Sequence, residues 1–111
     1  MSDIPAIRRQ LNIKAGIVKR LHKDNVTYQK ETEQQKQKLD KFIAQGAEDW
    51  DIKNGTRMLE ESNKMVNDSA TRLGKATGEL RDLIVAAKKI EELSQAEELV
   101  KAQEILEQAS V

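Results

Sequence analysis

The most chemistry-laden stretch of this 111-residue chain is Asp49-Trp50-Asp51, followed by Glu60 at the twelfth place, which has the outline of a calcium-binding loop. The outline fails at its centre. Lys53 stands where an oxygen ligand is needed, Asn54 where a sharp-turning Gly is needed, and Gly55 comes one place late. The acids serve better as helix-opening caps. The carboxylate pairs Glu60-Glu61, Glu91-Glu92 and Glu97-Glu98 offer acid–base groups, but carboxylates on solvated helix faces keep ordinary pKa values. His22 is the single histidine and there is no cysteine, so disulfides, thiolate metal sites, thiol nucleophiles and a His-based zinc site within one chain are excluded. No Walker loop, dinucleotide fingerprint or metalloprotease helix motif is present. The triplets Asn25-Val26-Thr27, Asn54-Gly55-Thr56 and Asn67-Asp68-Ser69 match a glycosylation pattern that matters only with an export signal, and the N-terminus carries none. Catalytic, metal and cofactor-binding residues are therefore not expected, and an enzyme is the weakest reading, because a slender helical protein leaves little room for a convergent pocket.

Composition points to helices as the elements that position whatever function exists. Trp, Tyr and Phe occur once each, and one Pro is present, whereas Ala, Glu, Gln, Lys and Leu dominate; 34% of residues are charged. The length fits one domain spanning residues 1–111. No apolar run reaches the roughly 18 residues of a membrane span, so a cytoplasmic protein is expected.

The apolar residues of the first half repeat in a 4-3 rhythm that keeps one helical seam facing its neighbours: Ile4, Ile7, Leu11, Lys14, Val18, Leu21, Asn25, Tyr28, Thr32, Gln35, Leu39 and Phe42. Pro5 suits the first turn after a Ser2 or Asp3 cap, and Gly46 suits a left-handed stop. A second 4-3 series runs Ile52, Thr56, Leu59, Asn63, Val66, Ala70, Leu73, Thr77, Leu80, Ile84 and Ala87, with Asn54-Gly55 threatening its first turn. Gly74 and Gly78 within it imply close approach or a bend, since each costs about 1 kcal/mol relative to Ala. Ser94-Gln95-Ala96-Glu97 reads as a capping box opening a third helix with the stripe Leu99, Ala102, Leu106 and Ala109. The expected fold is all-α: an elongated antiparallel up-down-up three-helix bundle, helices at about 4–45, 50–90 and 94–109. The third helix is too short to cover the whole hairpin, so part of the seam should be two-helix only. Polar seam residues Asn25, Thr32, Gln35 and Asn63 agree with that.

Nineteen basic and nineteen acidic residues cancel globally but not locally. Residues 1–45 carry ten Lys/Arg against five Asp/Glu, a net +5, and the remainder nine against fourteen, a net −5. An acidic partner is implied, or attraction between the bundle's own helices. Arg9, Lys23 and Lys30 fall at f positions, Lys19 at b and Arg20 at c, making a basic face opposite the first seam. In the second helix Met58 and Met65 fall at c, and Trp50 and Val85 at b, an apolar outer strip suited to a partner. Nucleic acid is disfavoured, because the other helices are acidic and aromatics do not interleave with the bases.

Lys14-Ala15-Gly16-Ile17-Val18-Lys19-Arg20-Leu21, continuing through Tyr28-Gln29-Lys30-Glu31 to Gln34-Gln35, resembles the first helix of the tubulin-binding cofactor A family. Glu48-Asp49-Trp50-Asp51-Ile52-Lys53 resembles its helix-opening turn. Leu59-Glu60-Glu61-Ser62 with Met65, then Arg72-Leu73, resembles its second helix, and Ala102 with Leu106 its third. Asn67 departs from the family pattern, which often has Pro there. The resemblance implies a small three-helix chaperone, cytoplasmic and cytoskeleton-associated, that captures β-tubulin, needs no nucleotide or cofactor and works with other tubulin-folding cofactors. No nucleic acid or membrane partner is implied, and monomer and homodimer both remain open. Tubulin is strongly acidic, so Arg9, Lys19, Arg20, Lys23 and Lys30 would steer encounter while Met58 and Met65 supply apolar contact. The alternative is a structural or trafficking module of the spectrin-repeat or syntaxin N-terminal type. Such modules belong to longer chains, and the absence of an attachment segment favours a free-standing protein.

Overall fold

The computed structural model describes residues 3–110. Helix α1 spans Ile4–Ala44, α2 Asp49–Lys88 and α3 Glu97–Ala109, with a short 3-10 turn at Glu91–Leu93; no strand occurs among the described residues. Local chemistry explains most boundaries. The Ala6 amide donates to Asp3 Oδ1 at 3.3 Å, so Asp3 caps α1 and Pro5 sits in the first turn, where no amide is needed. Ser2, the other candidate cap, lies outside the described residues. At the far end Gly46 adopts φ +69°, and the Ala47 and Gly46 amides donate to the carbonyls of Phe42 (2.9 Å) and Ile43 (3.2 Å). That paired closure is the Schellman arrangement that the Gly predicted.

Two expectations need correction. Asn54-Gly55 does not delay α2, which already begins at Asp49 with Asp49 and Asp51 in its first turn, where negative charge complements the helix dipole. The Ser94–Glu97 capping box does not form. Ala96 is the N-cap of α3, with no side-chain hydrogen bond, and the Ser94 hydroxyl donates backward to the Glu91 carbonyl at 2.8 Å. Leu93 explains the change, because it is fully buried, and the 3-10 turn that seats it draws Ser94 away from the helix start.

The chain forms two compact units, Met1–His22 with Arg72–Val111, and Lys23–Thr71. The first is a three-helix unit, built from the N-terminal part of α1, the C-terminal part of α2, the 3-10 turn and α3. Its core is Leu11, Ala15, Val18, Ala76, Leu80, Ile84, Ala87, Leu93, Leu99 and Ala102. Burying each of the larger side chains contributes about 1.5–3 kcal/mol. Two ion pairs join its helices: Arg8 Nε lies 3.9 Å from Glu98 Oε2, and Lys14 Nζ 3.5 Å from Glu79 Oε2. Part of the sequence's charge imbalance is thus spent between its own helices.

The second unit is a two-helix hairpin, as the shortness of the third helix required. Asn25 and Ser69 are its buried polar residues, and Leu39 is buried where it meets Gly55. A Cβ on Gly55 would stand 3.0 Å from Leu39 Cδ1, so glycine is used here for space rather than for backbone freedom.

The first seam is as read: every one of its twelve positions is buried or half-buried. The second is right at eight of its eleven positions. Ile52, Leu59, Val66, Leu73, Thr77, Leu80, Ile84 and Ala87 are buried or half-buried, but Thr56, Asn63 and Ala70 are exposed, and Gly55, Ser62 and Ser69 face inward in their place, with Ala76 buried beside Thr77. Up to Ala76 the seam of α2 therefore takes the residue one place earlier at alternate positions, and from Leu80 onward it runs as read. Small side chains let α1 approach closely there, and an apolar pattern search passes over them.

Candidate protein-binding surfaces

The five basic residues singled out from the sequence are all exposed: Arg9, Lys19 and Arg20 in the three-helix unit, Lys23 and Lys30 in the hairpin unit. Among the described residues none of them makes an ion pair within 4.0 Å, whereas Arg8 and Lys14 of the same helix do. In the three-helix unit Leu11, Ala15, Val18 and Leu21 occupy the inward face of α1 and leave Arg9, Lys19 and Arg20 outside; in the hairpin unit Asn25, Tyr28 and Thr32 do the same for Lys23 and Lys30. In each unit, exposed cations without an ion pair among the described residues attract acidic surfaces without fixing one geometry.

Met58 and Met65 are exposed, at 39% and 43%. They border a groove with Tyr28, Glu31, Gln35, Glu61 and Ser62, all inside the hairpin unit. Toward the turn a second groove is lined by Lys38, Leu39, Phe42, Asp51, Gly55 and Met58. Trp50 and Val85 do point outward, 65% and 50% exposed, and Ile43 is exposed beside the turn. Thr32 Oγ1, also in the hairpin, is buried without a hydrogen-bond partner.

The features that suggested catalysis or metal binding find other uses. Residues 49–60 are helical throughout, so the calcium-like segment is no loop. Asn25, the first glycosylation-like residue, is buried and its amide donates to Ser69 Oγ at 2.8 Å and to the Val66 carbonyl at 3.2 Å. His22 is half-buried beside the seam. No group of three or more His, Cys, Asp or Glu among the described residues is placed to hold a metal, and no described helix is long and apolar enough to cross a membrane. Glu97 has its carboxyl held below the ordinary range, first by a 2.9 Å hydrogen bond from Lys101 and then by its charge, and Lys101 is raised in return. Both are fully exposed, a helix-surface pair one turn apart and not a reactive dyad.

Sequence reasoning passed over Ile13 and Ile17, 46% and 37% exposed on α1, and the neighbouring Gly16. The available signal was two β-branched residues one helical turn apart, off the seam. Gly74 and Gly78, expected to permit close approach within the bundle or a bend, have nothing within 4 Å of where a Cβ would sit. No packing among the described residues requires them.

The family model for tubulin binding cofactor A matches residues 6–106. Tubulin-specific chaperone A of Gallus gallus is 42% identical over 99 residues, 89% of each chain. The solved structure of human tubulin chaperone cofactor A superposes with a TM-score of 0.81 at 37% identity, covering 95% of this chain and 99% of that one. The crystal structure of tubulin folding cofactor A from Arabidopsis thaliana gives 0.87 at 28% identity, covering 95% and 96%. The chain belongs to the tubulin binding cofactor A family.

Proposed function

We propose that this protein is a tubulin-folding cofactor that binds and stabilises β-tubulin folding intermediates in the cytoplasm, after release from a chaperonin and without nucleotide hydrolysis. The observation that carries the reading is the family match over residues 6–106; five exposed cations on α1, none of them in an ion pair among the described residues, support it. Its relatives are named chaperones and folding cofactors, which supports a non-enzymatic role and favours this reading over a spectrin-repeat or syntaxin-type module.

The mechanism follows from surface chemistry. Arg9, Lys19, Arg20, Lys23 and Lys30 steer an acidic client, and Met58 and Met65 offer polarizable, adaptable side chains beside the hairpin groove. Covering apolar surface on an incomplete partner suppresses its aggregation by mass action alone, so no energy source is needed. The 111 residues act as one functional domain, and other tubulin-folding cofactors receive the client afterwards. Crosslinking to β-tubulin tests this: crosslinks from α1 lysines are expected, and a chain that recovers no tubulin contradicts it.

A further inference from the structure

Within the three-helix unit, Ile13, Gly16, Ile17 and Arg20 stand at i, i+3, i+4 and i+7 on α1, with Arg9 one turn before Ile13, and all five are exposed. The fold itself uses none of them in this arrangement. Exposed isoleucine loses side-chain freedom in a helix and gains no core burial there. Gly16 is the more telling residue, because a mid-helix glycine is destabilising and a Cβ built on it meets nothing within 4 Å. No neighbour inside this unit needs the space that Gly16 leaves.

We propose that this stripe is a docking notch for one amphipathic, acidic helix of the client, with Gly16 admitting its close approach, Ile13 and Ile17 burying its apolar stripe, and Arg9 and Arg20 pairing with its carboxylates. The i, i+3, i+4, i+7 spacing is the footprint of helix-on-helix packing, and the missing side chain lowers the surface where two helices would cross. Charge selects the occupant: of the five bases in residues 1–22, Arg8 and Lys14 pair with Glu98 and Glu79, which leaves Lys19 and the two guanidiniums bracketing the notch, Arg9 and Arg20, without an ion pair among the described residues. The inference rests on the tubulin-capture reading and adds to it the residues that make apolar contact on α1.

Gly16→Ala separates binding from stability. It should raise the thermal midpoint by several degrees, since alanine is the better helix former at an open site, yet weaken retention of soluble tubulin about tenfold. Ile13→Gln with Ile17→Gln should weaken it comparably at unchanged helicity. If wild type retains tubulin and both variants retain it equally well, the notch is overturned while the capture reading stands. If wild type retains none, the capture reading falls and takes the notch with it. Sedimentation of the free chain supplies the remaining outcome: self-association abolished by Gly16→Ala would make the occupant a second copy and overturn client docking.

Discussion

The Asn25 amide donates to the Ser69 hydroxyl at 2.8 Å across the hairpin unit, and this is the polar tie between α1 and α2 in a section with no third helix. The network around it is closed. Asn25 Nδ2 also reaches the Val66 carbonyl, Ser69 Oγ donates to the same carbonyl at 3.0 Å, and Gln29 Nε2 donates to Asn25 Oδ1 at 2.7 Å. A satisfied buried amide holds one register where an apolar seam would tolerate slippage.

Asn25→Ala should therefore cost about 1–3 kcal/mol, because it leaves the buried Ser69 hydroxyl with one partner fewer. A double-mutant cycle with Ser69→Ala, followed by urea unfolding, should return a coupling of at least about 0.5 kcal/mol. Additive single effects would show that the tie carries no shared energy.

The register of α2 makes a sharper prediction. Ala76→Leu places a large side chain on the inward face and should destabilise by about 1–3 kcal/mol, whereas Ala70→Leu, on the exposed face, should stay within about 0.5 kcal/mol. The apolar series read from the sequence puts Ala70 inside, so the two substitutions tell the registers apart by thermal unfolding.

Much of the molecule was legible from its residues. Apolar groups at 4-3 spacing located the seam of α1 at all twelve positions, and Gly46 marked the turn through its conformational freedom. Small residues were the blind spot. Gly55, Ser62, Ser69 and Ala76 recur every seventh place, but they pack by being short, and hydropathy does not register shortness. The capping box failed for another reason: burial of Leu93 outweighs a local hydrogen bond, which sequence spacing alone does not weigh.

Gly55→Leu extends the close-contact argument to the hairpin. With Leu39 Cδ1 only 3.0 Å from the point a Cβ would occupy, the bulkier side chain should force the helices apart and cost about 1–3 kcal/mol. Gly55→Ala should be milder, because alanine's helix preference offsets a contact with the flexible end of Leu39. Denaturant midpoints that rank leucine at or above alanine would contradict the contact.

The Glu97–Lys101 pair fixes a sign for pH dependence. The Glu97 carboxyl is held below its ordinary value, so its contribution is present above the unfolded carboxylate range and is lost as pH falls through the lowered folded value. Lys101 is raised, so its contribution is complete below the unfolded amine range and fades as pH rises through the folded value. Both groups are charged at neutral pH. A carboxyl titration followed by NMR should show Glu97 shifting upward in Lys101→Ala, and an unmoved midpoint would dissolve the pair.

Capture of tubulin by the exposed cations is the claim on which the functional account turns. Wild-type protein and a Lys19→Glu, Arg20→Glu, Lys23→Glu variant should be titrated against soluble tubulin at low ionic strength, without added nucleotide, after circular dichroism has shown equal helicity. The account predicts a saturable complex for wild type and at least about tenfold weaker binding for the variant, a gap that narrows as salt is added. Equal affinity for the two proteins, or no complex with either, would contradict it.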